Sequence, residues 1–411
     1  MRATETVLHE QLVAERRMAR GPYFTLFVLF CSQMFAIGMI AYGFGLLAKP
    51  IAAEFSLSRA DMNIGLMTLI LGMAIFSPLI GRALDRLPGR VILSAGAVLF
   101  GVGCLAIALS ASLGAMIFAA FFLVAFGGAA LGPLTGSTLT ARVFSENRGR
   151  ALGIVSVSTS VGGMLLLPVM AWIVEGHGWR AAIGAVGLAV LVLIGGLGWL
   201  VRTGPAEQDG LAADAAPVPQ WTAGACLRTV DFWAIALSIG LVMAVDQALL
   251  VSLIPYGTDR GFSLQSATLV VSLISGMAIA GKLAVGTLAD RVDPRWLFLG
   301  IIVLTAAFLL LLTFDPGYPT LIGAAAVVGI GFGGTMPLWA TFIARHFGTS
   351  SFGTVMGLMV PLQMPLNLVA ISYVGHAYDR SGSYHPAYFI CLAVLLVALL
   401  AVLPLRRVPA R

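Results

Sequence analysis

The sequence predicts an all-α polytopic membrane protein of twelve transmembrane helices in two pseudo-symmetric six-helix bundles. Three observations carry this. Apolar side chains make up 59% of 411 residues and charged ones only 10%. Apolar runs of about 20 residues, the length that crosses a bilayer core, recur along the whole chain. And a charged motif, Gly81-Arg82-Ala83-Leu84-Asp85-Arg86-Leu87-Pro88-Gly89-Arg90, returns 205 positions later as Gly286-Thr287-Leu288-Ala289-Asp290-Arg291. A repeat offset by half the chain length is the mark of two similar bundles joined head to tail, an architecture suited to carrying a solute by rocking one bundle against the other.

The mean hydropathy of +0.98 excludes an ordinary soluble domain. A β-barrel needs short segments of alternating polarity, and the chain has none; helices satisfy their own backbone hydrogen bonds in lipid. The first-half spans are expected at about 23–47, 62–81, 91–111, 114–141, 151–174 and 180–201. A polar stretch over 202–228, with Pro205, Pro217 and Pro219, reads as a cytoplasmic linker with room for a short surface helix. The second-half spans follow at about 232–256, 264–288, 296–314, 318–344, 353–377 and 385–405. The domain division is therefore 1–201, 202–228 and 229–411.

Lys and Arg set the orientation. With the N-terminus inside, 18 of 24 cations fall in inner loops and tails, 5 in outer loops, and one, Lys282, within a span. Both termini are therefore expected in the cytoplasm, in a bacterial inner membrane. Residues 1–20 carry four Arg and lack the apolar core of a signal peptide. The net charge of +6 is explained by this topology and implies no nucleic-acid partner. Cys31, Cys104, Cys226 and Cys391 show no metal-ligand spacing and read as inert thiols.

The halves match further. Span 4 contains Gly127, Gly128, Gly132 and Pro133; span 10 contains Gly331, Gly333, Gly334 and Pro337. Both end alike, in Ala141-Arg142-Val143-Phe144 and Ala344-Arg345-His346-Phe347. Gly and Pro at matching depths point to close packing and bending near a central cavity.

With these motifs in place, the chain resembles the major facilitator superfamily over nearly its whole length. Gly81 to Arg90 is similar to that family's loop 2–3 signature; Arg148-Gly149-x-Ala151-x-Gly153 and Gly178-Trp179-Arg180 are similar to other loops of it. A narrower resemblance is to the monocarboxylate porters and oxalate/formate antiporters. It rests on Tyr42-Gly43-Phe44-Gly45, Lys49-Pro50, Glu54-Phe55, Leu57-Ser58-Arg59-Ala60, and Gly375-x-x-x-Asp379-x-x-Gly382-Ser383-Tyr384. A span-8 cation upstream of the loop Asp, usually Arg in that group and Lys282 here, completes it. The resemblance implies carriage of small organic anions. Tyr42 stands where animal monocarboxylate porters carry a span-1 lysine, so their proton relay does not transfer. The Pro-Gly-Gly signature of drug antiporters is not formed either, because Gly162-Gly163 precede Pro168.

Several residues are candidates for the chemistry. Lys282 is the first: an ionisable group inside a span usually faces a cavity, and an ammonium there would fix a carboxylate. Its alternative is snorkelling, since it lies about 9 Å of helical rise from the inner end. Asp246, the only acid deep in a span, is a candidate for solute contact and for the coupling proton; its alternative is a fixed counter-ion or packing hydrogen bond. Helical rise sets these two about 10 Å apart. Gln33, Tyr42, Gln363 and Asn367 are candidates for hydrogen bonds to solute, or for bridging helices. His376 reads as a solvated loop-end histidine with a proton role as the alternative. Asp85 and Arg86, with Asp290 and Arg291, are expected to latch the inner face in the outward-open state, or to signal topology alone.

The function expected is secondary active transport, by alternating access, of a small organic anion, a monocarboxylate first, coupled to protons or to a counter-anion. A drug, a sugar or another small solute is the alternative cargo. There is no Walker loop, no nucleophile–His pairing and no metal-ligand cluster, so neither ATP, cofactor nor enzyme chemistry is expected. The long soluble domains of a receptor or scaffold are lacking too. The partners expected are the lipid bilayer and a small solute, and a monomer suffices.

Overall fold

The computed structural model describes residues 21–56, 59–201, 221–403 and 405, and among these all regular structure is helical. Eleven helices are long and apolar enough to cross a membrane. They are α1 Gly21–Gly43, α2 Arg59–Arg86, α3 Gly89–Leu109, α4 Leu113–Val143 and the 52-residue Arg148–Trp199. Then come α7 Val230–Asp259, α8 Leu264–Leu288, α9 Pro294–Leu312, α10 Tyr318–Phe347, α11 Phe352–Ser381 and α12 His385–Val402. Arg148–Trp199 holds two of the expected spans, α5 and α6, which part at Gly178. Its φ of 83° is a conformation glycine takes without steric cost. All twelve spans read from the sequence are thus present.

Tails 1–20 and 406–411, with the cations counted there, and linker residues 202–220 lie outside the described residues. The rest of the linker includes the short helix Ala223–Leu227, capped by the Thr222 side chain, which accepts from the Ala225 N–H. The Trp221 N–H donates to Ser351 Oγ at 2.8 Å.

The chain divides into two compact units. The first comprises 1–76, 82–146 and 161–217; the second comprises 77–81, 147–160 and 218–411. These boundaries do not follow the two halves of the sequence. Two short segments of the first half, residues 77–81 of α2 and the start of α5, are built into the second unit.

In the first unit, α4 breaks at Gly132, whose extended backbone precedes Pro133 at the start of a new helical stretch. The break, and the N–H that Pro133 lacks, interrupt the helix's own ladder, and α1 side chains reach the backbone there. Ser32 Oγ donates to Leu131 O at 3.2 Å and Gln33 Nε2 to Gly132 O at 3.5 Å, both from α1. Pro337, the counterpart 204 positions on, sits inside an unbroken α10.

Asp85, at the end of α2, is paired with Arg142 at the end of α4, and both side chains are nearly buried. Arg142 also donates to Leu84 O at 2.5 Å. Removing one member of a buried pair leaves a charge without its partner and costs about 3–5 kcal/mol. Arg142→Gln is therefore expected to lower the melting temperature of the detergent-solubilised protein. Asp85→Asn added to it should recover part of the loss, as a thermal melt of both variants would show.

In the second unit, α8 and α10 make the tightest seam. A Cβ on Gly329 would lie 2.7 Å from Ile274 O, and Cβ atoms on Gly281 and Gly333 would strike the carbonyls of Ile330 and Ala278. Such close backbone approach is how small residues drive helix association in lipid.

Each unit also carries a charged clasp across three loops, at its end opposite the Asp-Arg loops, and the two clasps obey the sequence repeat. In the first, Arg180 pairs with Glu54 and donates to Ser110 O at 2.8 Å, while Trp179 Nε1 donates to Glu54 at 2.9 Å. In the second, Arg260 pairs with Asp315 at 2.5 Å, and His385 Nε2 lies 3.2 Å from the same oxygen. Ser110 and Asp315, and likewise Arg180 and His385, are each 205 apart; Glu54 and Arg260 are 206 apart. Partial burial raises the Asp315 pKa, but the His385 hydrogen bond and the Arg260 charge outweigh it and hold the carboxyl below its ordinary value. A group lowered on folding stabilises the fold above its unfolded pKa and loses that contribution as pH falls through its folded value. Wild type is thus expected to lose more thermal stability than Asp315→Asn on acidification below pH 4. Equal losses would remove the clasp from the account.

Candidate solute site

Lys282 lies on α8 and is only 8% exposed. Its ammonium does not reach for an interface. Nζ donates to Thr159 Oγ1 and Ser160 Oγ on α5, each at 2.8 Å. Among the described residues no carboxylate lies within ion-pairing distance of it. A desolvated cation whose contacts are neutral hydroxyls lacks the opposite charge that normally accompanies such burial.

Glycines bring the hydroxyls to it. A Cβ on Gly153 would lie 2.5 Å from Lys282 O, one on Gly286 would lie 2.6 Å from Gly149 O, and one on Gly149 would strike Gly286 O. Two turns beyond this seam, α5 presents Thr159 and Ser160 at the level of the ammonium. The end of α2 meets α11 in the same way. A Cβ on Gly81 would strike Gly353 O, and one on Gly357 would lie 2.5 Å from Ser77 O. The repeat therefore maps Lys282 onto Ser77, 205 positions earlier. The two seams share their glycines, and the ammonium belongs to one of them.

Asp246 is buried on α7, and its Oδ1 has no hydrogen-bond partner among the described residues. It does not pair with Lys282. Gly257, eleven residues on and about 20° from the same helix face, faces Ala267 of α8: a Cβ on it would lie 3.0 Å from the Ala267 Cβ. That register sets Asp246 level with Ala278, about 6 Å of rise from Lys282. This is closer than the 10 Å read from span ends, because α7 runs on to Asp259, past the end of its apolar run.

Gln363 and Asn367 lie one turn apart on α11. Gln363 is buried, and its Cγ is 3.3 Å from where a Gly240 Cβ would sit; among the described residues neither its Nε2 nor Asn367 Oδ1 has a hydrogen-bond partner. Gln33 is 1% exposed and engaged at the α4 break, which is a helix-bridging contact. Tyr42 is 42% exposed in a π-turn, Gly38–Gly43, and covers Gly163 of the π-turn Gly162–Leu166. His376 is exposed, with Nδ1 2.8 Å from Ser372 O.

The Asp-Arg loops use their acids differently. Asp85 takes Arg142, within the first unit. Asp290 accepts from the Gly149 and Arg150 N–H groups, at 2.6 and 3.0 Å, where α5 begins; a carboxylate there meets unpaired donors and the positive end of the helix dipole. Arg345 donates to Ala289 O at 2.7 Å, as Arg142 does to Leu84 O. Arg86 and Arg291 are exposed. Thr159 and Ser160 were not singled out by sequence. The signal available was the run Ser156-Val157-Ser158-Thr159-Ser160 within an apolar span.

A twelve-helix bundle of this repeat, with ionisable groups buried in its spans, defines the class of integral membrane transporters. The sequence profile of the Major Facilitator Superfamily matches residues 26–366, and the chain belongs to that family. It is 26% identical over 378 residues to mouse "Monocarboxylate transporter 11", covering 88% of this chain and 83% of that protein. It is 23% identical to the Bacillus subtilis (strain 168) "Uncharacterized MFS-type transporter YcxA", covering 94% and 96%. Its fold is similar to the crystal structure of the Major Facilitator Superfamily transporter FucP in the outward conformation. The TM-score is 0.68 at 15% identity, covering 92% of this chain and 97% of that one.

Proposed function

We propose that the protein moves a small monocarboxylate across the membrane by alternating access, with Lys282 as the group that holds the anion. The observation that carries this reading is the buried ammonium with hydroxyl contacts and no carboxylate beside it among the described residues. An incoming carboxylate supplies the missing charge, so solute binding removes much of the cost of burying Lys282. Relatives named as monocarboxylate transporters support the same solute class.

Asp246 carries the coupling proton in this reading. Its Oδ1 lacks a hydrogen-bond partner among the described residues, and it lies about one helical turn from Lys282 by register. Gln363 and Asn367 offer further polar contacts to the solute. Asp290, seated on the first N–H groups of α5, is the latch: it must leave them for the Gly149–Gly286 seam to open, so it biases the conformational equilibrium without touching solute. The Asp-Arg loops and both termini face the cytoplasm.

Proteoliposome uptake of a labelled panel (acetate, lactate, pyruvate, benzoate, a sugar and a cationic dye), with and without an inward proton gradient, tests this. Uptake of one or more of the monocarboxylates, accelerated by the gradient, is expected. Asp246→Asn should abolish the acceleration while leaving exchange of internal for external anion. Uptake of the sugar or dye alone would overturn the reading, and gradient-driven uptake by Asp246→Asn would remove the proton from that residue.

A further inference from the structure

The hydroxyls around Lys282 do not all have the same freedom. Ser156, Ser158 and Thr159 each donate back to the carbonyl three residues earlier, at 2.8, 2.6 and 2.9 Å. Such back-bonding is the usual fate of a hydroxyl in a helix. Ser160 is different. Its Oγ accepts from Lys282 at 2.8 Å, and its own proton has no acceptor among the described residues.

An ammonium has three N–H donors and a serine hydroxyl one O–H donor. Two donors of Lys282 are engaged, by Thr159 and Ser160. Thr159's hydroxyl proton is engaged by Ser156 O, so Thr159 can only receive. What remains in the cradle, among the described residues, is one N–H on Lys282, one O–H on Ser160 and one positive charge.

Building on the reading of Lys282 above, we propose that Ser160 is a second solute-binding residue: its O–H and the free N–H of Lys282 hold the two oxygens of one carboxylate. Thr159 is a positioning residue, whose back-bonded hydroxyl holds the ammonium in line. Two adjacent donors and a single charge match one carboxylate group. Among the described residues the cradle has no second cation for a second carboxylate, so the pair also favours a monocarboxylate over a dicarboxylate.

The test is uptake kinetics in proteoliposomes, using whichever of acetate, lactate, pyruvate and benzoate wild type carries best. Ser160→Ala is expected to raise KM about tenfold, the size of one lost hydrogen bond to a charged group, with Ser160→Thr, which keeps the hydroxyl, close to wild type. Thr159→Ser should likewise be close to wild type, while Thr159→Val should shift KM less than Ser160→Ala. An unchanged KM in Ser160→Ala with Lys282→Ala inactive would overturn the role of Ser160 and leave that of Lys282. Equal losses in Ser160→Ala and Ser160→Thr would also overturn it, since packing and not the O–H would then be at issue. Wild-type uptake by Lys282→Ala would overturn both.

Discussion

Lys282→Ala is expected to reduce monocarboxylate uptake by about thirty- to a hundredfold while the protein still folds. The magnitude follows from truncating one partner of a buried, charge-assisted contact, about 2–3 kcal/mol, at 1.4 kcal/mol per factor of ten. Folding should survive because the ammonium contacts hydroxyls and, among the described residues, leaves no buried carboxylate orphaned when it goes. Both hydroxyls keep local options: Thr159 retains its bond to Ser156 O, and Ser160 can turn to a carbonyl of its own helix. The signature is thus lost uptake with a near-normal thermal melt. A structural lysine would give the reverse pattern, a lowered melt with uptake retained in whatever protein remained folded.

Gly153→Val has the second large effect, for a steric reason. A Cβ on Gly153 would lie 2.5 Å from Lys282 O and 3.3 Å from Gly286 Cα, against backbone that cannot swing aside. Forcing extra carbons into such a seam costs about 1–3 kcal/mol. Here the displaced backbone belongs to Lys282 itself, so α8 moves away from Thr159 and Ser160. Uptake should fall to background and the melt should drop together. Gly300→Ala, whose Cβ would meet nothing within 4 Å, is the control and should keep both. A Gly153→Val protein with wild-type uptake and melting would mean that the seam is not held closed at any stage of the cycle.

Much of the fold was legible because its causes are local. Each bilayer-length apolar run became a helix, and the 205-residue repeat reappeared in glycine seams, arginine–carbonyl contacts and loop clasps. The site was legible only in part. Lys282 could be singled out because a cation inside an apolar span is costly wherever it points. Whether it snorkelled or turned inward depended on Gly153 and Gly286, whose contact is made between segments over 100 residues apart. Gln33 had two readings, solute contact or helix bridge, and sequence does not show the α4 break at Gly132, against whose backbone it lies. Pro133 and Pro337 occupy equivalent positions, and only the first interrupts its helix, so the proline alone did not decide it. Asp85 and Asp290 share a motif and have different partners, one an arginine and the other two backbone N–H groups. The value of Ser160 lay in a proton left without an acceptor, which no residue pattern displays.

The most direct measurement of the central claim is ligand-induced thermal stabilisation of the purified protein, wild type beside Lys282→Ala, against a monocarboxylate, its uncharged amide, a sugar and a cationic dye. Binding to the folded state alone raises the melting temperature in proportion to occupancy. The account requires that the monocarboxylate stabilise wild type, that the amide not do so, and that the shift vanish in Lys282→Ala. Stabilisation by the amide, the sugar or the dye to the same extent as by the acid, or an undiminished shift in Lys282→Ala, would contradict it.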